Sequence, residues 1–165
     1  TLERLVPKIL LFIFIPFLFV SCGPRNSAFT HFEKKDIETR GVQFTKKIDI
    51  LKEHEVDIIF MATYLNKIDM KISDTKNEVF LISTFFTNNE IQSIRENNYK
   101  FLLNGKEAIW IEKIEKNDER FKELMLKNYW GNYYLVKFDF LENIYNLNLE
   151  LTNQKSSKAI LNFEK

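Results

Sequence analysis

Short apolar stretches of strand length recur from Gly41 to the end of the chain, and they constrain the fold more than any other feature of this sequence. Each stretch is rich in Ile, Val, Phe or Tyr, and Asn, Asp, Lys or Ser separate it from the next. About eight stretches fit into roughly 125 residues, a spacing typical of two packed sheets. The sequence therefore predicts a mainly all-β domain, an antiparallel β-sandwich of the immunoglobulin-like kind.

The distribution of apolar residues within the stretches indicates where each strand lies. Residues 56–65 and 79–86 are apolar at both odd- and even-numbered positions, as expected of strands that are covered on both faces. Residues 145–152 alternate between apolar and polar, and residues 159–163 return after a polar turn, which predicts a hairpin with one wet face. Residues 42–50 carry apolar side chains mainly at even-numbered positions, which predicts a further strand.

The sharpest local signal for a hairpin is Asn104–Gly105, a pair suited to the two positive φ angles of a type I′ turn. In that register Tyr99 faces Trp110. Phe101 faces Ala108 in the same way, so the pattern predicts that these four side chains share one face of the hairpin.

Two short helical turns should interrupt the strands, one after Asn88–Asn89 and the other after Asp118, because each begins with a good N-cap residue. Residues 22–40 are polar and show no sustained apolar period, so we interpret them as a flexible tether. The folded domain is accordingly expected to span residues 41–165.

The first 22 residues follow the three-part layout of an export signal. Residues 1–8 carry basic side chains, residues 9–20 are apolar, and Ser21 and Cys22 follow directly. Twelve helical residues rise roughly 18 Å, which is too short for a hydrocarbon core of roughly 30 Å. A cleaved signal is therefore the better interpretation than a membrane-spanning helix.

The end of this segment, Leu18-Phe19-Val20-Ser21-Cys22, resembles the lipobox of bacterial lipoproteins. The resemblance implies that residues 1–21 are a signal peptide, cut before Cys22, and that lipid is attached to the Cys22 thiol. Two or three acyl chains would anchor the protein to a membrane, because each buried methylene adds roughly 0.8 kcal/mol. Gly23 stands where an Asp would retain such a protein in the inner membrane, which favours the outer membrane. The alternative is an ordinary cleaved signal followed by a thiol.

An aromatic segment, residues 128–134, completes a pattern that is similar to small uncharacterised envelope lipoproteins of host-associated Gram-negative bacteria. The resemblance implies an envelope protein and supplies no catalytic residues. Exposed Tyr and Trp faces can stack on sugars or anchor a protein partner. The candidate binding aromatics are Trp110, Tyr129, Trp130 and Tyr133, with packing in the core as the alternative.

Several classes of chemistry find no support in the residues. Removal of residues 1–21 leaves equal numbers of basic and acidic side chains, so the electrostatic footprint of a nucleic-acid binder is missing. His31 and His54 have no His or Cys neighbour at metal-ligand spacing, and no Gly-rich phosphate loop is present. We therefore expect no metal site and no cofactor other than the covalent lipid.

Carboxylates offer two weaker alternatives. Asp69, Asp74 and Glu78 are candidate oxygen ligands for calcium, but the interleaved lysines are more typical of solvated loop charges. Asp57 and Asp139 could form a glycosidase pair, although a linear sequence does not give their separation.

These observations predict a lipid-anchored protein with a non-enzymatic binding or structural role in the bacterial cell envelope. An adhesin or glycan-binding module is the alternative, and an envelope hydrolase using carboxylates is third. The expected partners are membrane lipid, through the acyl chains, and an envelope protein or glycan, with no nucleic acid.

Overall fold

A computed structural model describes residues 36–68, 74, 76–125, 130–153 and 158–165. Residues 36–43 are helical and form α1. The strands of the described residues are β1 Thr45–Lys52, β2 Glu55–Tyr64, β3 Asn77–Phe86, β4 Tyr99–Leu103, β5 Lys106–Glu107, β6 Trp110–Ile114, β7 Asn132–Asp139, β8 Asn146–Asn153 and β9 Ala159–Glu164. A short 3-10 turn, Leu65–Lys67, follows β2.

The strands form two antiparallel sheets, and this confirms the predicted sandwich. The larger sheet has the order β1-β2-β3-β7-β6 and the smaller has the order β5-β4-β8-β9. In immunoglobulin lettering, β2, β3, β7 and β6 take the A, B, E and D positions, and β5, β4, β8 and β9 take C′, C, F and G. β1 is an additional edge strand outside position A. The topology is therefore immunoglobulin-like, as the strand pattern predicts.

The core between the sheets is built by alternate residues of each strand. In β8 and β9 the buried and exposed positions alternate, so the predicted hairpin with one wet face is confirmed. Four phenylalanines and the three leucines of β8 are among the largest fully buried apolar side chains between the sheets. They are Phe60, Phe80, Phe101, Phe138, Leu147, Leu149 and Leu151.

A second cluster covers the outer face of the larger sheet. Val79 and Leu81 of β3 and Leu135 of β7 belong to it, together with Phe121 and Met125 from the loop after β6. β3 is consequently covered on both faces. This double coverage explains why its sequence is apolar at both odd- and even-numbered positions.

The start of the domain differs from the prediction. The expected strand from residue 42 was wrong in its first residues, because α1 continues to residue 43 and leaves Val42 exposed. The backbone N–H of Phe44 donates to the carbonyl of Arg40 at 2.9 Å, a helical hydrogen bond that postpones the strand. Ile37 packs against the outer cluster, so residues 36–40, assigned to the tether by sequence, belong to the folded unit.

The Asn104–Gly105 hairpin forms as predicted, with φ angles of 47° and 84° and Leu103 opposite Lys106. Its expected continuation is wrong. Trp110 does not face Tyr99 but pairs with Lys137 in the other sheet. The predicted single strand is thereby split into β5 and β6, which is why the described residues hold nine strands instead of eight.

The two predicted helical turns are present as isolated hydrogen-bonded turns. The N–H of Asn97 donates to the carbonyl of Ser93 at 3.1 Å, and the N–H of Met125 donates to that of Phe121 at 2.8 Å. Within residues 88–98 and 118–125, neither turn extends into a regular helix. Within the described residues, no helix has the length and apolar character that crossing a bilayer requires.

Candidate functional site

A cleft opens along the side of the sandwich where β6 ends the larger sheet and β4 and β5 end the smaller one. It arises because β5 pairs only with Leu102 and Leu103 before the chain crosses to the other sheet. The first half of β4 is left without a neighbouring strand on that side, as far as the described residues go. The cleft, which we call the side cleft, has a volume of about 1290 Å³. Typical small-molecule sites measure roughly 300–1,000 Å³, so it could hold a ligand of that size or an extended peptide.

The floor of the side cleft is apolar because core side chains reach it. Phe101 and Tyr134 are both buried, and their ring centroids lie 6.1 Å apart. Burial raises the pKa of Tyr134, although a hydrogen bond from the backbone of Ile94 opposes this effect, so its hydroxyl stays protonated near neutral pH. The apolar and aromatic lining residues are Ile91, Ile94, Tyr99, Phe101, Ala108, Ile111 and Tyr134.

The loop between β3 and β4 forms one wall of the cleft, and amide side chains hold it in place. Gln92 donates from Nε2 to the carbonyl of Phe86 at 2.7 Å and accepts the Phe86 N–H at Oε1, 2.9 Å away. Asn97 donates from Nδ2 to the carbonyls of Ile91 and Ser93 at 2.7 and 2.9 Å. The wall is therefore held together by its own hydrogen bonds although it lacks regular secondary structure.

Two further hydrogen bonds join this wall to the strands. Asn132 of β7 donates from Nδ2 to the carbonyl of Gln92 at 3.3 Å, and Asn153 of β8 donates from Nδ2 to that of Asn97 at 3.4 Å. The wall is thus attached to both sheets. A site that exists before its ligand arrives loses less conformational entropy on binding.

Charged side chains line the rim of the cleft. Lys100 and Glu107 form an exposed ion pair with 2.7 Å between Nζ and Oε1. Arg95 and Lys113 make no ion pair with any described residue, and Glu96 is the other acidic residue of the lining. The rim therefore carries an excess of positive charge, which favours a ligand with an anionic group.

The structure separates the aromatic residues that the sequence singled out. Trp110 and Trp130 are exposed, with 56% and 73% of their surface accessible, whereas Tyr133 is buried in the outer cluster. The Trp130 ring packs at a tilt against Phe85, 6.4 Å between centroids. Tyr133 is consequently a packing residue, the alternative that the sequence left open, because its side chain is buried with Ile114 in the outer cluster.

The two exposed tryptophans do not share a site. Trp110 lies opposite Lys137, which pairs with Val79, while Trp130 contacts Phe85 at the other end of the same strand. Six residues of strand separate these positions, or roughly 20 Å. Neither tryptophan lines the side cleft. Tyr129, Cys22 and the lipobox residues 18–21 lie outside the described residues.

The carboxylates considered as a glycosidase pair are far apart. Asp57 hydrogen-bonds through its carbonyl to Thr87, beyond the end of β3, and Asp139 pairs with Asn77 at its beginning. Ten residues of strand correspond to roughly 33 Å, whereas a glycosidase pair needs less than about 10 Å. This pair therefore cannot act together on one bond within a single domain.

The carboxylates considered as calcium ligands also point in different directions. Glu78 is fully buried inside the sandwich, where the hydroxyl of Tyr64 donates to it. Asp74 lies at the surface, where hydrogen bonds from the Asn77 side chain and the Lys76 backbone and the charge of Lys137 lower its pKa. Asp69 lies outside the described residues. Among the described residues, no three His, Cys, Asp or Glu side chains are grouped to hold a metal ion.

No protein-family model matches this chain, and no curated protein or solved structure matches it either. Functional proposals therefore depend on the side cleft and on the exposed aromatic residues.

Sequence reasoning did not find the side cleft. Its lining comes from a loop, from both sheets and from residues that are distant in the chain. One signal was available in the run Ile109-Trp110-Ile111, three consecutive apolar residues that break the alternation of the preceding hairpin. Such a break is expected where a chain leaves one sheet for another.

Proposed function

We propose that this chain is a membrane-anchored lipoprotein whose sandwich domain binds a ligand or partner in the side cleft and carries out no chemistry. The observation that carries the proposal is the side cleft itself, with its apolar floor, cross-linked wall and charged rim. A concave, largely preformed site with a few polar groups is the usual form of a binding site. Lipid on Cys22 would hold the cleft close to a bacterial membrane, with the outer membrane favoured.

The charged groups at the cleft support binding over catalysis. A catalytic acid or base must lie within hydrogen-bond reach of its substrate and have a tuned proton affinity. Lys100 and Glu107 instead pair with each other on the exposed rim, with more than half of each side chain accessible. In that position they can attract and orient a ligand.

Site-specific photocrosslinking in membranes of the producing cells tests the proposal. A benzoyl-phenylalanine at Lys100, on the cleft rim, should give a discrete adduct when irradiated. The matched control is the same group at Ile160, an exposed residue of β9 that lies two strands from β4 and outside the cleft lining. The variant Ala108→Trp, which places a bulky ring in the cleft, should remove the Lys100 adduct.

Three results would count against a binding cleft. One is the absence of an adduct at Lys100, another is an equal yield at Ile160, and the third is an adduct that Ala108→Trp leaves unchanged. The added mass of the adduct, that of a membrane lipid or that of a protein, distinguishes the two expected kinds of partner.

The exposure of Trp130 supports a glycan-binding module as the second candidate. An indole with 73% of its surface accessible, backed by Phe85, presents a flat face on which a sugar ring can stack. Sedimentation of the protein with isolated envelope polysaccharide tests this alternative. Trp130→Ala should abolish co-sedimentation, while Trp110→Ala, about 20 Å away along the sheet, should have little effect. Binding that is equal in both variants would exclude Trp130 as the stacking residue.

A further inference from the structure

The outer edge of β6 carries an unusual apolar sequence. Ile109, Trp110 and Ile111 are consecutive, and 52%, 56% and 45% of their respective surfaces are accessible. β6 ends the larger sheet, and on its side away from β7 no strand of the described residues pairs with it. Three adjacent exposed apolar residues on an open edge are disfavoured unless another chain covers them.

The opposite edge of the same sheet is protected in the usual way. β1 exposes Lys46, Lys47 and Lys52, charges that oppose pairing with another strand. β6 lacks such protection over its first residues. The contrast indicates that the β6 edge is a place of strand pairing.

We propose that a second copy of this chain pairs antiparallel with β6, joining the two larger sheets into one continuous sheet. The sequence Ile109-Trp110-Ile111 reads the same in both directions. When Trp110 lies opposite Trp110 of the second copy, Ile109 lies opposite Ile111, and every pair in the triplet is apolar. Cross-strand pairs of aromatic and β-branched side chains stabilise such pairing.

The two-fold symmetry preserves the faces of the sheet in this register. Trp110 lies on the outer face with Lys137, and Ile111 lies on the inner face with Val136, on the side of the core. Residues opposite each other in a sheet must share a face, and an axis perpendicular to the sheet places Trp110 beside its counterpart on the outer face. A pairing shifted by one residue would violate this condition.

Charges beyond the triplet favour the same register. Glu112 keeps its own partner, with 2.8 Å between its Oε1 and Nη2 of Arg120. The register with Trp110 opposite Ile114 would instead set Glu112 opposite Glu112, which repulsion disfavours. The apolar and charged positions thus select one arrangement.

Cysteine trapping of the full-length protein, purified from membranes in detergent, tests the arrangement. Trp110→Cys should form a disulfide-linked dimer under mild oxidation, because paired strand residues lie within the Cα separation that a disulfide needs. Ile109→Cys and Ile111→Cys should each form little dimer alone but should cross-link when the two proteins are mixed. Trp130→Cys, which alters a more exposed tryptophan outside β6, is the matched control and retains the same Cys22.

Sedimentation of the protein without added cysteines gives the second readout. Trp110→Lys should weaken association at least tenfold, while Trp130→Lys should not. A monomer at all concentrations would overturn the proposal, as would a dimer that Trp110→Lys leaves intact or cross-linking of Trp130→Cys as efficient as that of Trp110→Cys. The inference does not depend on a ligand in the side cleft, so either proposal can fail alone.

Discussion

The hydroxyl of Tyr64 donates a hydrogen bond to Oε2 of Glu78, 2.6 Å away, at one end of the sandwich interior. The Glu78 carboxylate is fully buried. Its other oxygen accepts the backbone N–H of Leu141 at 3.3 Å and contacts the ammonium group of Lys165. A buried charge is tolerated when both oxygens have partners and an opposite charge is near.

Removal of the cation should therefore destabilise the fold. Lys165→Met leaves the Glu78 charge buried without its counterion, and we expect the free energy of unfolding in urea to fall by about 2–3 kcal/mol. Lys100→Met, which breaks the exposed pair with Glu107, should cost less than about 1 kcal/mol. Adding Glu78→Gln to Lys165→Met should restore part of the loss. Equal losses of unfolding free energy in the two single variants would mean that the buried pair contributes no more to stability than the exposed pair.

The fold should also weaken in alkali because of Tyr64. Burial raises the pKa of Tyr64 well above its usual value, and the hydrogen bond to Glu78 and its charge raise it further. The native state retains a proton that the unfolded chain loses above about pH 10. The stabilisation is therefore complete below that pH, and it declines as the pH rises.

Measurement of unfolding free energy from pH 9 to 11 checks this expectation. Wild type should lose up to about 1.4 kcal/mol per pH unit more than Tyr64→Phe, the slope for one proton. Tyr145→Phe, which removes an exposed tyrosine, serves as the control and should follow wild type. Parallel curves for wild type and Tyr64→Phe would show that Tyr64 ionises without unfolding.

The sandwich could be predicted from sequence because its strands follow simple burial patterns. β8 and β9 alternate, and the both-sided apolar sequence of β3 reflects its two covered faces. The switch of sheet after Ala108 could not be predicted. It depends on the N–H of Ile109 reaching the carbonyl of Lys137 at 2.9 Å, a contact between residues far apart in the chain. Because that switch creates the side cleft, the candidate site could not be predicted from the sequence either.

The turn between β1 and β2 offers a stabilising substitution. Glu53 and His54 adopt φ angles of 53° and 71°, a left-handed conformation that favours Asn and Gly. Glu53→Asn combined with His54→Gly should raise the free energy of unfolding by about 1 kcal/mol, since left-handed backbone costs roughly 1–2 kcal/mol in other residues. Thermal or urea unfolding measures the gain.

The Asn104–Gly105 turn provides the reciprocal control. Gly105 has φ 84° with nothing near its Cα hydrogens, so Gly105→Ala introduces strain without a steric clash. We expect it to lower the free energy of unfolding by about 1 kcal/mol. A loss at Gly105 without a gain at residues 53 and 54 would indicate that Glu53 or His54 makes compensating interactions.

Gln92 should control the order of the cleft wall. Gln92→Glu keeps the acceptor for the Phe86 N–H but loses the donor to the Phe86 carbonyl, and Gln92→Ala loses both. We expect faster amide hydrogen exchange in the loop between β3 and β4, more so for Gln92→Ala, with β8 and β9 unchanged. Ligand affinity at the cleft should decrease in the same order, because a less ordered wall must be fixed on binding. Unchanged exchange in both variants would contradict the role of Gln92.

The position of β3 in the larger sheet affects the rate and the order of folding. β3 lies against β7, with Thr84 opposite Asn132 and Asn77 opposite Asp139. The pairing thus closes loops of roughly 50 to 60 residues, and such long-range pairing makes folding slow. Until residues 132–139 have left the ribosome, β3 lacks its β7 partner and has an open edge. A nascent or truncated chain that stops short of β7 is consequently the form of this protein most exposed to aggregation and to proteases.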